Sequence, residues 1–308
     1  MAKIQTVLGD ISPDEFGLAL VHEHVICDFI GADEVSRDRY DQKEVFDLML
    51  PYLAEIRQLG VTGFVDCTPA FMARDCHLLA SLSEASDIHI VTNTGLYKEP
   101  YLPKFALKNS ADQLARIWKD EVESGIEGTS VKAGFIKIAV NPGPIAPMQQ
   151  KIVRAAARCS LLTGATIACH TASGVAAKHI LDILREEDLD PDKLIVVHCD
   201  AEGDLKYHLE VAQEGAWVEY DALREENAEK TIKLILFMVK NGFEDQLLLS
   251  QDAGWYHVGE EGGGDIRGYA YLVRDFVPLM LASGFDQKLV DKILIENPSR
   301  ALQIRNST

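Results

Sequence analysis

The sequence predicts an α/β protein built as a single (β/α)8 TIM barrel, and three observations carry that prediction. Eight short apolar runs recur along the chain, ending at residues 24, 68, 97, 139, 170, 198, 221 and 252. Those ends lie about 33 residues apart on average, near the size of one strand–helix unit. Between them lie stretches whose apolar residues repeat at helical spacing, several of which stop at a glycine.

Each element follows in order. Residues 1–16 form a lead into the first run, 18–24. Residues 43–59 place Val45, Leu48, Met49, Tyr52, Leu53 and Ile56 on one helical face ahead of the second run, 61–68. The third run is 88–97. Residues 110–124 open on a serine cap and set Leu114, Ile117, Trp118 and Val122 at helical spacing. Runs at 135–139, 166–170, 194–198, 217–221 and 246–252 complete the series, separated by helical patterns at 149–163, 175–187, 205–213 and 228–241. Gly60, Gly125, Gly164, Gly215 and Gly242 stand where left-handed residues end helices. Residues 286–304 form a C-terminal helical tail. The runs are rich in Val, Ile and Leu rather than strictly alternating, as strands covered on both faces are. A doubly wound open sheet is the rival, but no Gly-x-Gly-x-x-Gly follows the first strand. Nothing reads as a linker, so one domain is expected over 1–308.

The 308 residues include 30 basic and 48 acidic side chains, for a net charge of −18. Such a field argues against nucleic acid and anionic membranes as partners. The N-terminus lacks the basic and apolar regions of a signal peptide, and no apolar run approaches a membrane span. The six cysteines are scattered, without a Cys-x-x-Cys pair, so reduced thiols in a cytoplasmic protein are expected.

Four of the nine histidines fall at predicted strand ends: His22, His24, His170 and His198. In a barrel that rim carries the active site. His22 and His24 are two apart on a strand, so both face the interior while Glu23 faces the strand–helix layer. Asp252 ends strand eight, which neighbours strand one. Lys137 lies mid-strand among apolar residues, where a charge is costly unless paired or neutralised. Taken alone, it reads as a snorkelling lysine, a Schiff-base lysine of an aldolase, or a metal ligand. The histidines favour the last, because an aldolase has no use for them. Imidazoles and carboxylates in this number suit zinc-like ions, and two of them. Cys27, Cys169 and Cys199 near the rim read as packing residues.

These features together resemble the lactonases of the phosphotriesterase-like branch of the amidohydrolase superfamily. The resemblance runs from Gly9-Asp10 through His22-Glu23-His24, residues 134–138 around Lys137, His170, His198 and Asp252 to Glu296-Asn297-Pro298. It implies a binuclear centre of two divalent ions, zinc first, with manganese, cobalt or iron as alternatives. His22, His24 and Asp252 would hold the more buried ion, and His170 and His198 the other. Lys137, carboxylated by CO2, would bridge the two. A metal-bridging hydroxide would attack the substrate, with Asp252 moving the proton. The resemblance also implies a homodimer.

The implied reaction is hydrolysis of carboxylic esters, above all lactones, including sugar or phosphorylated sugar lactones. A phosphotriester hydrolase is the alternative, and a Schiff-base aldolase using Lys137 a distant one. Tyr97, Arg224, Trp255 and Arg267 are the expected substrate-binding residues, with Trp255 and Tyr256 forming an apolar wall. Arg224, Arg267, Lys98 and His257 could instead meet an anionic tail. The short loop after strand seven and the long one after strand eight fit the lactonases, while Val25–Asp28 and Lys98-Glu99-Pro100 depart from those acting on long acyl chains. Gly262, Gly263 and Gly264 could let the long loop close as a lid.

Overall fold

Strands covered on both faces need helices outside and packed side chains inside, and the chain supplies both. Eight parallel strands follow in order: β1 (Ala19–Cys27), β2 (Gly63–Asp66), β3 (His89–Val91 and Asn93–Thr94), β4 (Phe135–Ala139), β5 (Ile167–His170), β6 (Leu194–Val197), β7 (Trp217–Tyr220) and β8 (Leu247–Leu249, resuming as Ala253–His257). The computed structural model describes residues 2–305; Met1 and residues 306–308 of the expected domain lie outside the described residues.

The ladder runs as one sheet of six strands and one of four. They share β3, which breaks at Thr92, and β8, which breaks over residues 250–252. Across the second break the Asp252 amide donates to the His22 carbonyl at 3.0 Å, and the His22 amide donates to Ser250 Oγ at 3.0 Å. The expected (β/α)8 barrel is therefore what the chain forms, with three of its metal-ligand candidates, His22, His24 and Asp252, on that seam.

Two apolar layers follow from strand alternation. Inside the barrel lie Val21, Val65, Val91, Phe135, Ala168, Ile195, Trp217 and Leu248, floored by Ile4 and Phe16 from the N-terminal lead. Leu20, Ile136, Cys169, Val196 and Leu249 face the helices. The lead forms a hairpin, Ile4–Thr6 against Gly9–Ile11, and Gln5 Nε2 donates to the carbonyls of Val122 (2.7 Å) and Ala133 (2.8 Å). Lys3 and Ile304 pair through both backbone bonds, tying the ends together.

The helices read from periodicity are present at Gln42–Gln58, Ala111–Glu123, Pro147–Thr163, Gly174–Glu186, Leu205–Gln213 and Ala228–Lys240. All five stop glycines have positive φ. The tail is helical from Gln287 to Leu302, with a π turn at Lys292–Glu296. Periodicity did not single out the helix Cys76–Ser86. Its buried face carries Ser83 and Ser86, which satisfy themselves on the carbonyls of Ile88 and Leu82 and break the apolar pattern. Among the described residues no helix is long and apolar enough to cross a membrane.

One glycine bears on the site. Gly95 has φ +106°, and a Cβ there would stand 2.2 Å from the Lys137 carbonyl oxygen. Gly95→Ala is therefore expected to cost about 2 kcal/mol or more, measured by denaturant unfolding, because it adds backbone strain to a clash with a neighbouring strand.

Candidate metal centre

Three local devices turn polar side chains into the barrel. The β1 ladder shifts register between Leu20 and Glu23. That irregularity lets the strand present Val21 to the interior and then His22 and His24 as well. His198 follows the inward Val197, so alternation alone would send it outward; its left-handed φ of +61° turns it back. Asp252 is also left-handed, at φ +52°. Lys137 and His170 need no device, since they share the parity of the inward Phe135 and Ala168.

The hydrogen bonds settle which ring nitrogens are free. The Thr68 hydroxyl donates to the Ile26 carbonyl at 3.0 Å, so it accepts from His24 Nδ1 at 2.8 Å. His22 Nδ1 lies 2.6 Å from Glu219 Oε1 and 3.0 Å from Asp221 Oδ2. Both rings therefore carry their proton on Nδ1 and turn an Nε2 lone pair inward. Asp252 Oδ1 stands 3.2 Å from His24 Nε2 and 3.8 Å from His22 Nε2. It is buried and has no hydrogen-bond partner. Three acceptors thus converge with no proton among them, an arrangement a cation satisfies. His22, His24 and Asp252 form one of the groups able to hold a metal ion.

The other such group is His22, His198 and Asp221. Here the carboxylate receives His198 Nδ1 at 2.6 Å and His22 Nδ1 at 3.0 Å, both hydrogen-bond distances. Asp221 orients the two rings from behind, as outer carboxylates orient ligating histidines. Lys137 Nζ sits 3.2 Å from His22 Nε2. His170 and His198 meet at 2.8 Å (Nδ1 to Nε2), and His170 also touches Tyr97 OH at 2.9 Å and Lys98 Nζ at 3.0 Å.

Burial favours the neutral form of three of the four rings, those of His22, His24 and His170. Burial pushes His22 down to about 3, with the Lys137 charge adding to it, and burial lowers His24 and His170. Burial opposes ionisation of Asp252, but His24 and His22 outweigh it and hold its carboxyl well below the usual range. Asp221 is likewise held low against its burial by His198 and His22. Burial, reinforced by Asp221, pushes Glu219 up. His198 is lowered by burial but raised on balance by Asp221.

A chain of aromatic contacts rims the cup. Trp255 lies 3.9 Å, ring to ring, from His24 and stacks on Phe29 at 5.6 Å. Phe29 meets Tyr101 at 6.0 Å, Tyr101 meets Tyr97 at 5.9 Å, and Tyr97 meets His170 at 5.2 Å. Phe29 is 45% exposed and marks the open mouth. Tyr256, expected beside Trp255 in the wall, instead faces the helix Gln42–Gln58, donates to Glu44 and packs on Gly263. Arg224 is exposed. Arg267 gives its described hydrogen bonds to the carbonyls of Leu223, Gln251 and Asp252. Sequence reasoning passed over Glu219 and Asp221, although two acids in an apolar strand, at the parity of the inward Trp217, were a signal of the same kind as Lys137.

Fold and site together define a barrel hydrolase with groups able to hold a metal ion at the C-terminal rim of its strands. The chain belongs to the phosphotriesterase family, whose pattern matches residues 2–302. It is 30% identical to the phosphotriesterase homology protein of Escherichia coli, over 95% of this chain and all of the relative. It is 28% identical to the N-acetyltaurine hydrolase of Mus musculus, over 98% of each. A lactonase from Listeria monocytogenes superposes with a TM-score of 0.86 at 28% identity, covering 99% of this chain and all of that one.

Proposed function

We propose that the chain is a binuclear metal-dependent hydrolase that opens lactones, sugar and phosphorylated sugar lactones among them. The observation that carries this reading is the convergence of His22 Nε2, His24 Nε2 and the unpartnered Asp252 Oδ1 beside Lys137. His22, His24 and Asp252 would hold one ion, His170 and His198 the second, and Lys137, carboxylated on Nζ, would bridge them. Divalent ions there, zinc first, would lower the pKa of a water and polarise the electrophilic carbonyl. Asp252 takes the proton released as the water oxygen bonds to the carbonyl carbon, and delivers it to the departing ring oxygen. Glu219 and Asp221 hold the ligand rings in place. Trp255 and Tyr97 wall the acyl or sugar portion, and the aromatic rim excludes water around it.

The N-acetyltaurine hydrolases among the relatives favour a second reading, hydrolysis of an N-acyl amide. The same groups would serve, with Asp252 protonating a departing amine. Lys98 bears on both. Among the described residues it has no carboxylate within ion-pair distance, and its half-buried ammonium points at His170. It would meet an anionic group on the substrate. Lys98→Met is expected to lower the preference for a phosphorylated over a neutral lactone about tenfold or more, read as the ratio of their kcat/KM values.

Metal removal tests the reading as a whole. Dialysis against a chelator is expected to abolish ester hydrolysis, and added Zn2+ to restore it. The aldolase alternative expects the opposite: activity that survives the chelator, and a carbonyl substrate trapped on Lys137 by borohydride.

A further inference from the structure

The seam segment 250–253 is gripped by two charged side chains to which the proposed reaction gives no part. Glu23, between the two histidines, is fully buried. Its Oε1 accepts from Ser250 Oγ (2.9 Å), Gln251 N (3.2 Å) and Gln251 Nε2 (3.3 Å), and its Oε2 from Ala253 N (2.6 Å). Arg267 approaches the same peptides with donors. Its Nη2 reaches the carbonyl of Asp252 at 2.6 Å and that of Gln251, and its Nη1 the carbonyl of Leu223 at 3.1 Å. One side chain takes amide hydrogens on both sides of Asp252, and the other takes carbonyls. Between them Asp252 holds a left-handed φ of +52°, which a non-glycine residue keeps only when its surroundings over-determine it.

We infer that Glu23 and Arg267 are positioning residues, a two-sided clamp on the 250–253 peptide that keeps Asp252 left-handed with Oδ1 aimed at His24 Nε2. The two side chains match the task by their contacts: Glu23 receives four donors from this segment, and a guanidinium can only donate. This explains a charged residue between the histidines and gives Arg267 a role away from the substrate. The inference rests on the reading of Asp252 as ligand and proton carrier.

The test uses the full chain carrying Glu23→Gln, Arg267→Met or Arg267→Lys. Zn2+ affinity is measured by chelator competition, and kcat and KM on an ester or lactone the parent protein hydrolyses. Zn2+ affinity and kcat are expected to fall about tenfold or more in Glu23→Gln and Arg267→Met. KM should stay within about twofold. Arg267→Lys should recover part of the loss, since it keeps a cationic donor for the carbonyls. A rise in KM at unchanged kcat in Arg267→Met would make Arg267 a substrate contact and overturn the clamp. Unchanged Zn2+ affinity in all three variants would also overturn it. Zn2+ affinity is read without substrate, so failure of the lactone reading would show separately, as a parent protein that binds Zn2+ but opens no lactone. Should Glu23→Gln not fold, the two Arg267 variants decide.

Discussion

Asp252→Asn is expected to lower kcat/KM by about a thousandfold or more. The amide keeps the side chain's size and its place on the seam, but cannot take up a proton and is a poor ligand beside neutral His22 and His24. Zn2+ affinity should fall with activity. The fold should survive, because the backbone bonds around residue 252 come from Glu23, Arg267 and His22 rather than from its own carboxylate. Kinetics at saturating metal, with far-UV circular dichroism as the check on folding, would show this. A loss of structure parallel to the loss of rate would mean that Asp252 serves the barrel rather than the reaction.

Lys137→Met should have an effect of similar size through a different route. Lys137 is 2% exposed and stands against His22, so methionine fills its volume without a charge. If Lys137 bridges two ions, the variant should hold one ion or fewer per chain and lose about a thousandfold in kcat. Its metal-free form should unfold at the same temperature or higher, since exchanging a buried ionisable group for an apolar one of like volume is often neutral or stabilising. Activity and stability moving in opposite directions would mark a residue kept for function. Metal content by elemental analysis, with thermal unfolding, separates this from a packing role, in which both would fall together. In the parent protein, metal content independent of dissolved bicarbonate would remove the bridging carbamate.

The barrel was legible because its evidence repeats: eight apolar runs, six helical patterns and five stop glycines carry the same message at one period. The metal-ligand candidates were legible where parity alone decides. His22 and His24 share a face whatever the strand does before them, and Lys137 sits at a parity its neighbours confirm. Other features depend on single backbone angles that no pattern announces. The register shift in β1 and the left-handed turns at His198 and Asp252 aim side chains that alternation would misdirect. Glu219 and Asp221 were visible as acids in an apolar strand, but their partners come from β1 and β6, and long-range pairing is not written locally. Tyr256 was misread because adjacent loop residues share composition but not direction; the left-handed Trp255 turns one ring into the cup and leaves the next against a helix.

The most direct test of the account is kcat/KM of the Zn2+-loaded protein across one substrate panel, with Asp252→Asn run beside it. The panel would hold neutral γ- and δ-lactones, acyl-homoserine lactones, phosphorylated sugar lactones, an N-acyl amide and a phosphotriester. The account predicts one lactone class well above the phosphotriester and the amide, with that rate lost in Asp252→Asn. Equal rates across the panel, or a preferred rate that survives Asp252→Asn, would contradict it.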